Sequence, residues 1–225
     1  MTQTKDDIRL FSYKLTHDSG FAPNPFFGVL TLATCKPGIR QTKKVGDWIA
    51  GFSSVALSNS AKQCGIAIHP KALIYLAQVS EVMPLDEYYC DQRFKEKIPP
   101  KQYNENQIQC AGDNIYKLTA VDSDGQRIYE QVSQLHHDQG HYKDDIGGRN
   151  VLIFSEYYYL GRSGMEVPDS IELSRPIGPT QFGYKSTNFN QVTEFIAWVK
   201  TNFKQGLNDY PCLWNEQRSS KCRGC

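Results

Sequence analysis

The chain has 225 residues, 40% hydrophobic and 22% charged, with a formal net charge of +1. That composition builds a globular core and excludes a disordered chain. The near-neutral charge excludes a uniformly basic nucleic-acid binder, so any anion site is a local patch, and no apolar run reaches the roughly 18 residues of a membrane span.

The opening residues, MTQTKDDIRL, are too polar for a secretory leader. The odd count of seven cysteines, five of them scattered (Cys35, Cys64, Cys90, Cys110 and Cys212), argues against a secreted disulfide framework and for a reducing cytoplasm. IRLFSYKL, residues 8–15, alternates and predicts a strand. SGFAPNPFFGVLTLATCKPGIR, residues 19–40, sets Phe21, Phe26 and Phe27 among prolines and glycines, ends on Lys36 and Arg40, and has no acidic residue. Loops are usually polar, because buried loop backbone lacks partners. Within this stretch VLTLATC, residues 29–35, reads as a strand, and Pro37 suits the first position of a short helix.

VGDWIAGF, residues 45–52, reads as a Gly46–Asp47 turn entering a strand at Trp48, and the Ser- and Asn-rich residues 53–65 as a hairpin loop. ALIYLAQVSEVMP, residues 72–84, predicts one strong strand ended by Pro84. LDEYYCDQRF, residues 85–94, predicts a short helix with an acidic first turn, followed by a loop over 95–109. GDNIYKL, residues 112–118, repeats the Gly-Asp-then-strand pattern, and DSDGQ, 122–126, is a turn. Residues 133–150 form a long polar loop, and VLIFSEYYYLG, 151–161, another strand. FNQVTEFIAWVKTNFKQG puts Phe189, Val192, Phe195, Ile196, Val199 and Phe203 on one helical face. The sum predicts an α+β fold: a curved, mainly antiparallel sheet or partial barrel with a C-terminal amphipathic helix. Residues 1–214 are expected to form a single domain, with 215–225 a Cys-containing basic tail.

Several groups carry candidate chemistry. The aromatic loop suits a base-sized slot, with Phe21 and Phe26 for stacking, Pro23 for stiffness, Asn24 as a donor and acceptor for a base edge, and His17 and Asp18 at the entrance. It equally suits a hydrophobic loop that merely closes the end of a barrel. Lys36 and Arg40 are placed for a phosphate, whereas Lys43 and Lys44 read as a solvated turn. LHHDQGHYKDD, residues 135–145, gathers His136, His137, Asp138, His141, Asp144 and Asp145. A histidine there suits acid–base work, with His136 or His137 as catalyst and Asp138 orienting it; a polar loop with satisfied histidines is the alternative. Three histidines and a carboxylate also suit zinc or a related divalent ion, but the spacing H-H-D-x-x-H matches no mechanistically grounded metal motif, so no metal site is assigned. Cys212, Cys222 and Cys225 lack an evident fourth ligand. There is no G-x-x-x-x-G-K-[ST], G-x-G-x-x-G or G-x-S-x-G.

The run LFSYKLTHDSGFAPNPFFGVLTLATCKPGIRQTKKVGDWIAGF, followed by YLAQVSEVMPLDEYYCDQRF, GDNIY, VLIFSEYYYLG and FIAWVKTNF, resembles the nucleotide modification-associated domain family, second type. The resemblance covers about residues 9–214. It singles out His17, Asp18, Gly20, Phe21, Ala22, Pro23, Asn24, Pro25, Cys35, Lys36, Arg40, Gly46, Asp47 and Trp48, and it implies a functional histidine at His136 or His137. Trp48 is then a pocket or core residue. KVGDWIAGF and VSEVMP also resemble PUA-like domains, including EVE and ASCH domains, at the level of fold. The resemblance implies recognition of a modified nucleobase or nucleotide in a phage or bacterial DNA-modification or defence setting, and the expected pocket lies between the aromatic Pro-rich loop and the His-rich loop. The alternatives are an enzyme processing such a base with a histidine acid–base, and a protein-interaction component of a defence system. Nucleic acid or nucleotide is the expected partner. No membrane partner is expected, self-association is left open, and no cofactor is named.

Overall fold

The computed structural model describes residues 8–135, 141–171, 182–184 and 189–214. His136, His137 and Asp138, and the tail that holds Cys222 and Cys225, lie outside the described residues. In chain order the first half contains β1 (Leu10–Leu15), β2 (Leu30–Leu32), α1 (Pro37–Thr42), β3 (Trp48–Ser53), α2 (Val55–Gln63), β4 (Leu73–Gln78), β5 (Glu81–Pro84) and α3 (Leu85–Cys90). A 3-10 turn, Gln92–Lys97, precedes α4 (Gln107–Cys110), β6 (Tyr116–Val121), β7 (Arg127–Gln131), α5 (Tyr142–Gly147), β8 (Asn150–Phe154) and β9 (Glu156–Tyr159). After a 3-10 turn at Gly161–Ser163 come β10 (Phe182–Tyr184), α6 (Phe189–Asn202) and β11 (Gly206–Leu207). The chain divides into two compact units: unit 1 from Met1–Ser19, Lys44–Ser80 and Phe154–Gly224, unit 2 from Gly20–Lys43 and Glu81–Ile153.

Unit 1 is built on a six-stranded sheet in the order β10-β1-β3-β4-β9-β11. β1 runs parallel to β3 and β9 parallel to β11, while β10–β1, β3–β4 and β4–β9 are antiparallel. The sheet is open, with β10 and β11 as its two edges. The α+β class holds and most pairings are antiparallel, but the sheet is mixed and neither curls nor closes, so the expectation of a curved sheet or a partial barrel of the PUA/EVE kind is corrected. Alternation marks a strand but not its direction. Parallel β1 and β3 need a long crossover, which the excursion through Gly20–Lys43 supplies.

Two long apolar runs also divide. Residues 72–84 give β4 and β5, broken at Val79–Ser80, and residues 151–161 give β8 and β9, broken at Ser155. In each case one half belongs to unit 1 and the other to unit 2. The expected hairpin loop over 53–65 is helix α2, started by Ser54, whose Oγ accepts from the Leu57 N–H at 3.1 Å, and held by buried Leu57 and Ala61. The polar segment 95–109 ends in the short helix α4, capped by the Asn106 side chain. The loop expected over 133–150 contains α5.

The apolar stripe of α6 does cover a sheet. Val192, Phe195, Ile196 and Val199 pack with Leu10, Trp48, Ala50, Phe52, Leu76 and Tyr158. Phe195 stacks on Phe52 with ring centroids 6.4 Å apart. Strand alternation turns Tyr13, Tyr75 and Tyr159 to the opposite face, where Tyr75 donates to Tyr13 across 2.8 Å. Gly51 leaves the room they need, since a Cβ there would lie 2.3 Å from the Tyr75 ring.

Unit 2 holds a three-stranded sheet, β2-β8-β5, and the hairpin β6-β7. Its core includes Ala33, Met83, Leu85, Tyr88, Phe94, Ile115, Tyr116, Val151 and Ile153. An ionic peg fastens the aromatic loop to this core. Lys97, 1% exposed, donates from Nζ to Asn24 Oδ1 at 2.6 Å and to the Asn24 carbonyl at 3.2 Å. Asn24 Nδ2 donates to the carbonyls of Gly20 at 3.0 Å and Ala111 at 2.8 Å. The Asp113 carboxylate accepts from Thr31 Oγ1 at 2.7 Å and from the Tyr88 hydroxyl at 2.8 Å. Burial raises Asp113, while the Lys97 charge opposes that rise.

Phe195→Ala should destabilise the protein by about 3–5 kcal/mol in urea unfolding, the range for an emptied aromatic core site. Lys97→Ala should cost about 3–5 kcal/mol, because it leaves the buried Asn24 oxygens without their donor and the Asp113 carboxylate without the charge that offsets its burial. Burial also pulls the Lys97 ammonium from 10.5 down to about 8. The folded state thus carries the whole cost of this charge below pH 8 and sheds it as pH rises from 8 towards 10.5, a window in which the unfolded chain binds the extra proton. Wild-type stability should therefore rise relative to Lys97→Met across that window. Parallel stability curves for the two proteins would contradict the assignment.

Candidate functional site

The strongest local anomaly in unit 2 is an elbow between β2 and α1. Cys35 and Lys36 both occupy the left-handed region, with φ of 54° and 43°. L-residues other than glycine avoid that region because Cβ crowds the following carbonyl. Two in succession persist only where neighbours hold them. Here the holders are identifiable. Asp145 Oδ1, on α5, accepts the Cys35 N–H at 2.5 Å, and Arg40 Nε, on α1, donates to the Cys35 carbonyl at 2.7 Å. Pro37 then opens α1 at its first position, with φ already suited to a helix.

Arg40 and Asp145 are themselves enclosed. Arg40 has no exposed surface, and it donates to the Asp145 carbonyl at 2.5 Å and the Asn150 carbonyl at 3.0 Å. Gly148 lies flat on this guanidinium; a Cβ there would stand 2.2 Å from Arg40 Cζ. Asp145 Oδ2 accepts from the Tyr116 hydroxyl at 2.8 Å. Burial pulls Arg40 down and pushes Asp145 up; each charge partly offsets the other's shift. Burial, and then the Asp145 charge, push the Cys35 thiol up to about 11, so it is protonated at neutral pH and is a poor nucleophile. Tyr142 packs edge-on to Tyr116, with centroids 5.8 Å apart, and its hydroxyl donates to the Tyr129 carbonyl at 2.9 Å.

The residues singled out in the sequence fall into both units. Phe21, Pro23, Asn24, Phe26, Lys36 and Arg40 belong to unit 2, and His17, Asp18 and Trp48 to unit 1. Phe21 is half-buried at the rim of the unit 2 core, as is Tyr142. Pro23, Asn24 and Phe26 are buried, and the Asn24 amide is occupied by Lys97, Gly20 and Ala111. Lys36 is half-buried at the elbow. Trp48 is 3% exposed within the sheet–helix core, beneath Lys200, whose Nζ lies 5.1 Å from the ring centre.

His17 is half-buried beside Asp18. The Asp18 carboxylate accepts from the Tyr159 hydroxyl and, at 2.8 Å, from the Cys212 N–H. Burial raises Asp18 in spite of these donors. This network ties β1 to β9 and to the segment that follows β11. Cys212 belongs to it as well, with its thiol donating to the Gly161 carbonyl at 3.4 Å.

Lys97, Asp113, Tyr116, Tyr142 and Arg149 are absent from the sequence-derived set of site residues. Lys97 sits in the run KEK, which reads as solvated surface. Asp113 did carry a signal, the repeated Gly-Asp step before a strand. Asp145 stood out only as a member of the His-rich loop. Among the described residues no group of three or more His, Cys, Asp or Glu side chains is placed to hold a metal ion. Nor is any described helix long and apolar enough to cross a membrane.

No curated protein and no solved structure matches the chain. A family model does: it covers residues 7–218, which takes in the elbow, its clamp and the Asp18 network. The chain belongs to the nucleotide modification associated domain 2 family.

Proposed function

We propose that unit 2 recognises a modified nucleobase or nucleotide at the Cys35–Lys36 elbow, as a reader and not as a catalyst. The observation that carries this is the elbow itself. Two consecutive non-glycine residues sit in a costly conformation, held from both sides by a buried carboxylate and a buried guanidinium. Strain maintained at that expense is found where a ligand is clamped. Lys36 brings a positive charge to the elbow, suited to a phosphate. Phe21 and Tyr142, half-buried at the rim of the same core, offer ring surface on which a base can stack. Membership of a family associated with nucleotide modification supports a nucleotide as the ligand, and the raised Cys35 thiol favours binding over covalent chemistry. The ligand in this reading is a nucleotide, free or within a strand, from a system that makes or reads modified bases.

The test is titration of the protein with deoxynucleoside 5′-monophosphates, four unmodified and a set with 5-hydroxymethyl or N6-methyl bases, with mass spectrometry of the recovered ligands. Selective binding with unchanged masses is expected. Phe21→Ala should weaken it by about 1–3 kcal/mol, the worth of one base–aromatic stack. Lys36→Gln should weaken it for every base alike and flatten the salt dependence by about one unit of slope. Unchanged affinity in both variants would remove the elbow from consideration, and a mass change in the ligand would replace the reader with an enzyme.

A further inference from the structure

Arg40 holds not one strained turn but two. Its Nε bonds the Cys35 carbonyl, at the elbow that carries Lys36, and its terminal nitrogen Nη1 bonds the Asn150 carbonyl at 3.0 Å. The residue before Asn150 is Arg149, which is exposed and also left-handed, with φ of 60°. Its backbone is pinned on both sides: the N–H donates to the Ile146 carbonyl at 3.1 Å, and the carbonyl accepts from Leu85 at 3.0 Å. Gly148, immediately before it, is required by the close approach of Arg40. The elbow and the Gly148–Asn150 turn are therefore fixed to one guanidinium, and each carries a cation at a strained position.

We propose that Arg149 and Lys36 jointly bind the phosphate of a nucleotide, Arg149 being the outward arginine of the site and Arg40 its buried support. This rests on the nucleotide reading above and adds the residue that recognises the charged end of the ligand. Glycine would adopt φ of 60° without the Cβ penalty, and the chain already has glycines at 147 and 148. An arginine kept at the one left-handed position of that turn has its use in the side chain. The planar guanidinium fork matches two phosphate oxygens, and a second cation from a separately fixed turn suits a dianion.

The test compares wild type, Arg149→Gly and Arg149→Lys in titrations with deoxynucleosides and with the matching 5′-monophosphates, alongside thermal melts. In wild type the monophosphate should bind about tenfold more tightly than its nucleoside, with an advantage that shrinks as salt rises. Arg149→Gly should melt at a higher temperature, because it relieves the turn, and should lose most of that advantage. Arg149→Lys should keep most of it. If Arg149→Gly melts higher and keeps the phosphate advantage, or if wild type binds nucleoside and monophosphate equally, the role of Arg149 is overturned while nucleotide recognition stands. If wild type binds none of these ligands, both fall.

Discussion

The buried guanidinium of Arg40 is the constraint on which unit 2 depends. A guanidinium taken out of water must have its N–H groups satisfied, or burial costs far more than packing returns. Arg40 meets that demand with carbonyl oxygens from Cys35, Asp145 and Asn150. Those residues come from three elements in two distant stretches of the chain, so the demand for acceptors becomes a demand for geometry. The β2–α1 elbow, the end of α5 and the start of β8 must all present their backbone to one planar group. Asp145 answers the charge and at the same time holds the Cys35 N–H and the Tyr116 hydroxyl. Each member of such a cluster is costly alone and tolerable only in company, which makes the arrangement specific rather than merely stable.

The same logic recurs where Lys97 supports the aromatic loop. Asn24 offers four hydrogen-bonding positions, and a loop of phenylalanines and prolines could not bury it without partners for them. Lys97 supplies the cation, Gly20 and Ala111 the acceptors, and Asp113 the countercharge. The loop is thus ordered from beneath, and Phe21 reaches its rim with little freedom left to lose. A rim residue ordered in advance binds with a smaller entropic cost than one that must be fixed by the ligand. In unit 1 the Asp18 carboxylate plays a comparable part for β1 and the segment after β11, with Tyr159 and Cys212 as donors.

How much of this could be read beforehand depended on whether the signal was local. The stripe of α6 is periodic over four turns and was plain. Pro37 at the start of α1 and the Gly46–Asp47 turn before β3 are single-residue rules that held. Strand direction is not local: nothing in IRLFSYKL or GDWIAGF tells β1 to run parallel to β3, so the expectation of a curved sheet or partial barrel failed. Two apolar runs looked like one strand each because little more than Ser80-Glu81 and Ser155-Glu156 interrupts them, where the chain passes from one unit to the other. At the site the difficulty was burial. Arg40 and Arg149 are the same residue type, each close to glycine. Only the fold tells that one is sealed inside and the other faces water. Lys97 is likewise indistinguishable by sequence from Lys95, two residues away and exposed.

Backbone strain separates these residues better than charge does. Among the described residues, left-handed backbone at non-glycine positions occurs at Phe27, Cys35, Lys36 and Arg149, and all four lie in unit 2. Stability alone would favour glycine or asparagine at each of them. The three that surround Arg40 instead carry a thiol, an ammonium and a guanidinium, two of them cationic at neutral pH. A chain of net charge +1 has little positive charge in excess, so holding two cations on strained, rigidly supported turns concentrates it at one place. The strain at these positions contributes nothing to the fold, and the side chains it carries are the ones the proposed phosphate site uses.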